Sequence, residues 1–138
     1  MKAFLRLILS GLALSLAFLA PAFDSLAEET AVKFEVIALP AGTDVKTVQQ
    51  AVASALGGRR WSIQEQSSNK VVGYLKHRSN EAEVTFLFDE KQIEISCWGY
   101  RINKAGERQE PELPDGWLGI LSRDIKKNLG IVRSKNKQ

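Results

Sequence analysis

The stretch Ala82–Tyr100, AEVTFLFDEKQIEISCWGY, decides the fold. Ala82, Val84, Phe86 and Phe88 fall at every second position, the period of a strand with one buried face. Asp89-Glu90-Lys91 breaks the pattern as a hairpin tip. Ile93, Ile95 and Cys97 then resume it. Two such strands joined by a tight turn imply an antiparallel sheet with one apolar side. Trp98 and Tyr100 fall on the opposite parity, unless Gly99 marks a bulge that turns them inward.

Upstream, Val71–His77 reads as another strand, with Ser67-Ser68-Asn69 as the turn before it and Ser79-Asn80 closing it. Trp61–Glu65 reads as a strand with Trp61 and Ile63 inward, and Val32–Leu39 as a strand with Val32, Phe34 and Val36 on one face. Between them Val45, Val48, Val52, Ala55 and Leu56 form an apolar stripe at helical spacing, opened by Thr43 or Asp44 as a cap. Downstream, Asn103–Pro114 is polar and proline-containing, which suits a surface loop. Asp115 can cap a final helix with Trp117, Leu118, Leu121, Ile125 and Leu129 on one face, ended by Gly130. The expected fold is therefore α+β, in the order β-α-β-β-β-β-α. Its sheet is mostly antiparallel, with two amphipathic helices packed on one face and the other face partly open.

The segment Ala55–Trp61, ALGGRRW, joins helix to strand. Arg59 and Arg60 beside Trp61 could grip an anion or a partner. The joint is the stronger reading. Gly57 follows the last stripe residue, where glycine takes a left-handed turn without strain, and cations there offset the negative helix end.

The first residues have the form of a secretory leader. Lys2 and Arg6 precede the apolar run Leu7–Ala20, and Ser25-Leu26-Ala27 offers small residues for cleavage after Ala27. The run is shorter than the roughly 20 residues of a membrane span. The expected division is a signal peptide at 1–27, one α+β domain at 28–132 and a basic tail at 133–138, with the product periplasmic or secreted and not anchored in a membrane after cleavage. The net charge of +3 over the whole chain is close to balance and gives no argument for nucleic acid. The basic residues Arg123, Lys126, Lys127, Arg133, Lys135 and Lys137 read as a solvated helix face and tail.

Taken together, Arg59-Arg60-Trp61, Gly73–Arg78 and Ala82–Asp89 resemble a family of small exported bacterial proteins without an assigned function. The resemblance covers about residues 45–125 and implies export and a single α+β domain, but no activity. The chain departs from the pattern at three places. Arg60 stands where the family has glycine, Phe88 where it has tyrosine, and Cys97-Trp98-Gly99-Tyr100 replaces a more polar segment.

Catalytic chemistry finds little support in the residues. His77 and Cys97 are the single members of their kinds, so no intramolecular disulfide forms and no metal-ligand set is expected. A strand lies between them, a separation of roughly 9–10 Å where a nucleophile and its base need about 3 Å. Cys97 is expected to be buried and His77 to sit at a strand end. Gly57-Gly58 ends a helix and opens none, so it forms no phosphate loop. No cofactor is expected and no catalytic residue is assigned.

What is left is a surface. Tyr74, Lys76, Arg78, Trp98 and Tyr100 share the outward parity and are the candidate binding residues. The expected function is a noncatalytic exported module that binds a protein or small ligand of the cell envelope. The alternatives are a small hydrolase or isomerase using a carboxylate (Glu65, Glu110 or Glu112), and a self-associating structural protein of the envelope.

Overall fold

A computed structural model describes residues 31–131. The leader and its cleavage after Ala27, and the basic tail at 133–138, lie outside the described residues. The elements follow as β1 (Val32–Ala38), α1 (Val45–Gly58), β2 (Ser62–Gln66), β3 (Lys70–His77), β4 (Asn80–Phe88), β5 (Gln92–Ile102), β6 (Arg108–Pro111) and α2 (Asp115–Asn128). The fold is α+β as expected, with one strand more. The stretch expected to be a surface loop contains β6, because Asn103 accepts from the N–H groups of Ala105 and Glu107 and Gly106 takes φ +82° to close a hairpin with β5.

The sheet is antiparallel in the order β1-β5-β4-β3-β2, and β6 continues the β1 edge along the far end of β5. Alternation holds through β4 and through β5 as far as Tyr100: Ala82, Val84, Phe86 and Phe88 are buried, as are Ile93, Ile95 and Cys97, and at the far end of β5 it inverts, with Arg101 exposed and Ile102 buried. Val48, Val52, Ala55 and Leu56 of α1 and Leu118, Leu121 and Ile125 of α2 cover this side. Full burial of each large apolar side chain contributes about 1.5–3 kcal/mol.

The first strand corrects the expected facing of Val32, Phe34 and Val36. A register shift between Lys33 and Glu35 inserts one residue and inverts the parity beyond it. Ile37 is the buried residue, Phe34 is half-buried against the core, and Val32 and Val36 are 52% and 45% exposed. Glu35 instead lies opposite Ile95, on the helix side. There it accepts from the Ser122 hydroxyl and from Lys126 Nζ at 2.7 Å, tying β1 to α2. In β2, Trp61 precedes the strand and is buried as expected, whereas Ile63 on this edge strand is 39% exposed.

Both helices end in the same motif. At α2, Gly130 takes φ +71°, its N–H bonds to Lys127 O and that of Ile131 to Lys126 O. At α1 the left-handed position falls on Arg60, at φ +66°, with its N–H on Gly57 O and that of Trp61 on Leu56 O. The expectation that Gly57 would take this turn is corrected: Gly57 and Gly58 belong to the last helical turn. Asp44 caps α1, accepting from Lys46 N at 3.2 Å. Asp115 lies in the first turn of α2 and is not its cap, which is Pro114.

Gly99 is no bulge, since it pairs in register with Ala82. Its role is close approach: Glu112 donates its N–H to Gly99 O at 2.9 Å, and a Cβ here would meet Glu112 O and lie 2.9 Å from Pro114 Cδ. This contact guides the chain from β6 into α2. Gly99→Ala is expected to destabilise the protein by about 1–3 kcal/mol in a denaturant titration, with the secondary structure of the folded state retained.

Candidate functional site

The register places the outward residues of the sheet in rows. Trp98, Glu83, Tyr74 and Ser62 form one row across β5, β4, β3 and β2. Pro111, Tyr100, Glu81 and Lys76 form the next, across β6, β5, β4 and β3. Four of the five expected binding residues, Tyr74, Lys76, Trp98 and Tyr100, therefore share one patch on the side that neither helix covers. Arg78 departs from it. It lies past the end of β3 in the two-residue turn to β4, at φ +57°.

The patch is wired together by residues that the sequence reading passed over. Arg108 of β6 reaches across, its guanidinium carbon 4.7 Å from the Trp98 ring centroid and 5.0 Å from that of Tyr100. The two rings are 5.8 Å apart and tilted by 55°. Arg108 Nε donates to Glu81 Oε1 at 2.6 Å, and the Tyr74 hydroxyl donates to the other Glu81 oxygen. Trp98 Nε1 donates to Glu83 Oε1 at 3.3 Å. The patch is thus aromatic and charge-balanced, not simply aromatic and basic. Glu81 and Glu83 were visible as outward parity in β4. Arg108 was visible only to a reader who took Asn103 and Gly106 as hairpin signals.

Electrostatics follow from this packing. Burial pushes the Tyr74 phenol up to about 12, reinforced by its hydrogen bond to Glu81 and by the charge there. For Glu81, whose side chain is 11% exposed, burial acts to raise the carboxyl, but the hydrogen bonds from Tyr74 and Arg108 outweigh it and hold the group below its usual range. Across neutral pH the Glu81 carboxylate therefore stays ionised and the Tyr74 phenol stays protonated to donate to it.

The Cys97 thiol is pushed up to about 12, chiefly by burial, and donates to Trp98 O. It faces Val84 on β4, which separates β5 from the strand of His77. Such a thiol supplies no nucleophilic thiolate at neutral pH. The carboxylates considered for hydrolysis lie in the open: Glu65 pairs with Lys70 at 3.4 Å, Glu112 with Arg101 at 3.6 Å, and Glu110 is exposed on β6. The carboxylates whose titration is displaced, Glu81, Asp89 and Asp124, are all lowered, the opposite of a poised general acid. Among the described residues no three His, Cys, Asp or Glu side chains come together as a metal site. Nor is any helix there long and apolar enough to cross a membrane.

Among the described residues, concavities on the helix side include one along α2 and one at the end of α1. An open groove of about 950 Å³ runs along α2, where Glu35, Ser122 and Lys126 meet Gly116 and Gly119. A smaller cleft of about 240 Å³ lies where α1 hands over to β2, between Arg59, Arg60, Trp61, His77 and Trp117. Comparison with known proteins found no match among family models, curated proteins or solved structures.

Tyr74 gives a pH test. Because its folded pKa lies above the ordinary value near 10, its contribution to stability is complete below about pH 10 and is lost as pH rises towards 12. A phenolate absorbance titration should show a transition near pH 12 that disappears in Tyr74→Phe. In Glu81→Gln it should move down but stay above the ordinary value, because burial is the larger cause.

Proposed function

We propose that the chain is a noncatalytic binding module, exported to the periplasm or the medium, whose uncovered sheet face docks a protein partner of the cell envelope. The leader-like first residues support export, as does the resemblance to small exported proteins. The observation that carries the binding reading is the prearranged cluster of Trp98, Tyr100 and Tyr74 held by Arg108, Glu81 and Glu83. Aromatic side chains with two torsions each, fixed before contact, offer large area at small entropic cost on association. Exposed Leu87, at 43%, and Val36 extend the same face with apolar surface.

Photo-cross-linking from position 87 in living cells tests this reading. The expected product joins the chain to a distinct envelope protein, in the periplasmic or secreted fraction. Trp98→Ala should cut capture by about 30-fold or more, the weight of an interface hot spot, with the thermal midpoint showing a folded protein. Capture indifferent to Trp98 contradicts the docking face. A product that is a dimer of the chain itself replaces the partner with self-association. Retention in the cytosol contradicts export.

A further inference from the structure

We propose that the cleft at the end of α1 is a binding site for a small planar carboxylate, an apolar ring carrying one acid group. It lies on the helix side of the sheet and does not depend on the reading of the open face. Its floor is apolar. Trp61, Leu75, Trp117 and Ile120 line it, with the two indole rings 5.9 Å apart and nearly perpendicular, at 86°. Trp61 is 5% exposed and braces Trp117, the more exposed of the two rings, which is the one a guest ring would meet. Its rim is basic, formed by Arg59 and Arg60 with His77, whose ring lies 6.5 Å from that of Trp117. No carboxylate lines the cleft.

The two arginines are not equivalent. Arg59 is tied to Asp124, donating from Nε at 2.8 Å and from Nη2 at 3.4 Å, and this pairing holds the Asp124 carboxyl below its usual range. It joins the end of α1 to α2, a structural task. The Arg60 side chain makes no hydrogen bond or ion pair with the described residues, yet its backbone holds φ +66°. A residue with a Cβ costs roughly 1 kcal/mol in that conformation, which glycine adopts freely. The same motif at the end of α2 uses glycine, Gly130 at φ +71°. The fold therefore has a cheaper residue for position 60. Arg60 lines the cleft, and besides offsetting the negative end of α1 its guanidinium fork can match a carboxylate there.

An enclosed cavity of about 150 Å³ lined by apolar residues takes up one benzene ring. The cleft here, about 240 Å³ and open to solvent on one side, has room for a ring with a short acid arm.

The test is titration calorimetry of the purified protein with phenylacetate, against phenylacetamide as the uncharged counterpart. Saturable binding of phenylacetate at one per chain is expected, with the amide at least tenfold weaker. Arg60→Gly should raise the thermal midpoint by relieving the backbone and weaken phenylacetate by about tenfold or more, the weight of a hydrogen bond between charged partners. A loss of binding in a more stable protein separates recognition from misfolding. Trp98→Ala should leave the affinity unchanged, which separates this site from the open face. Absence of saturable binding, equal binding of the amide, or full affinity in Arg60→Gly overturns the proposal.

Discussion

Burying Val84, Phe86 and Phe88 of β4 beside Ile93, Ile95 and Cys97 of β5 removes a continuous apolar surface from water, and it leaves the residues between them no choice of side. Successive side chains of a strand point to opposite faces, so fixing one set fixes the other. Glu81 and Glu83 on β4 and Trp98 and Tyr100 on β5 are held on the outer face by the burial of their neighbours. The helices reinforce the choice, because α1 and α2 both spend their apolar stripes on the same side.

The outer cluster is a response to that placement. Half-buried aromatic rings with polar tips and carboxylates next to them are stable only when their hydrogen bonds are met. Glu81 and Glu83 accept from Tyr74 and Trp98, and Arg108 completes the set by donating to Glu81 and stacking on the Trp98 and Tyr100 rings. The short β6 strand exists where it can deliver that side chain. Under the docking reading proposed above, a partner would meet ring edges and ion pairs already held in place by these contacts.

What the sequence made visible and what it hid divide along physical lines. The covered face of β4 and β5, both helices and the stop at Gly130 are periodic or local signals and were readable, and the cap of α1 was narrowed to Thr43 or Asp44, of which the structure uses Asp44. The bulge in β1 was not: Val32, Phe34 and Val36 alternate well, but one inserted residue at Phe34 reverses the pattern and hands Glu35 to Ser122 and Lys126. The left-handed turn at the end of α1 was placed on Gly57 because glycine adopts it without strain, and the chain placed it on Arg60. Of the candidate patch, Tyr74, Lys76, Trp98 and Tyr100 were found by parity. Glu81 and Glu83 share that parity, but which side chains they accept from depends on the pairing of β4 with β3 and β5, which alternation along one strand does not give. Arg108 depends on a hairpin whose four-residue strand, RQEP, carries no alternation of its own.

The division of the sheet into a covered and an outward face can be tested most directly by thiol accessibility at its two faces. Cys97 of the native protein should resist a thiol reagent until the chain unfolds, being 1% exposed. A Leu87→Cys substitution in a Cys97→Ala background should react at once under the same conditions. Rapid labelling of Cys97 in the folded protein, or protection at position 87 as deep as at 97, would contradict the assignment of faces on which both proposed sites rest.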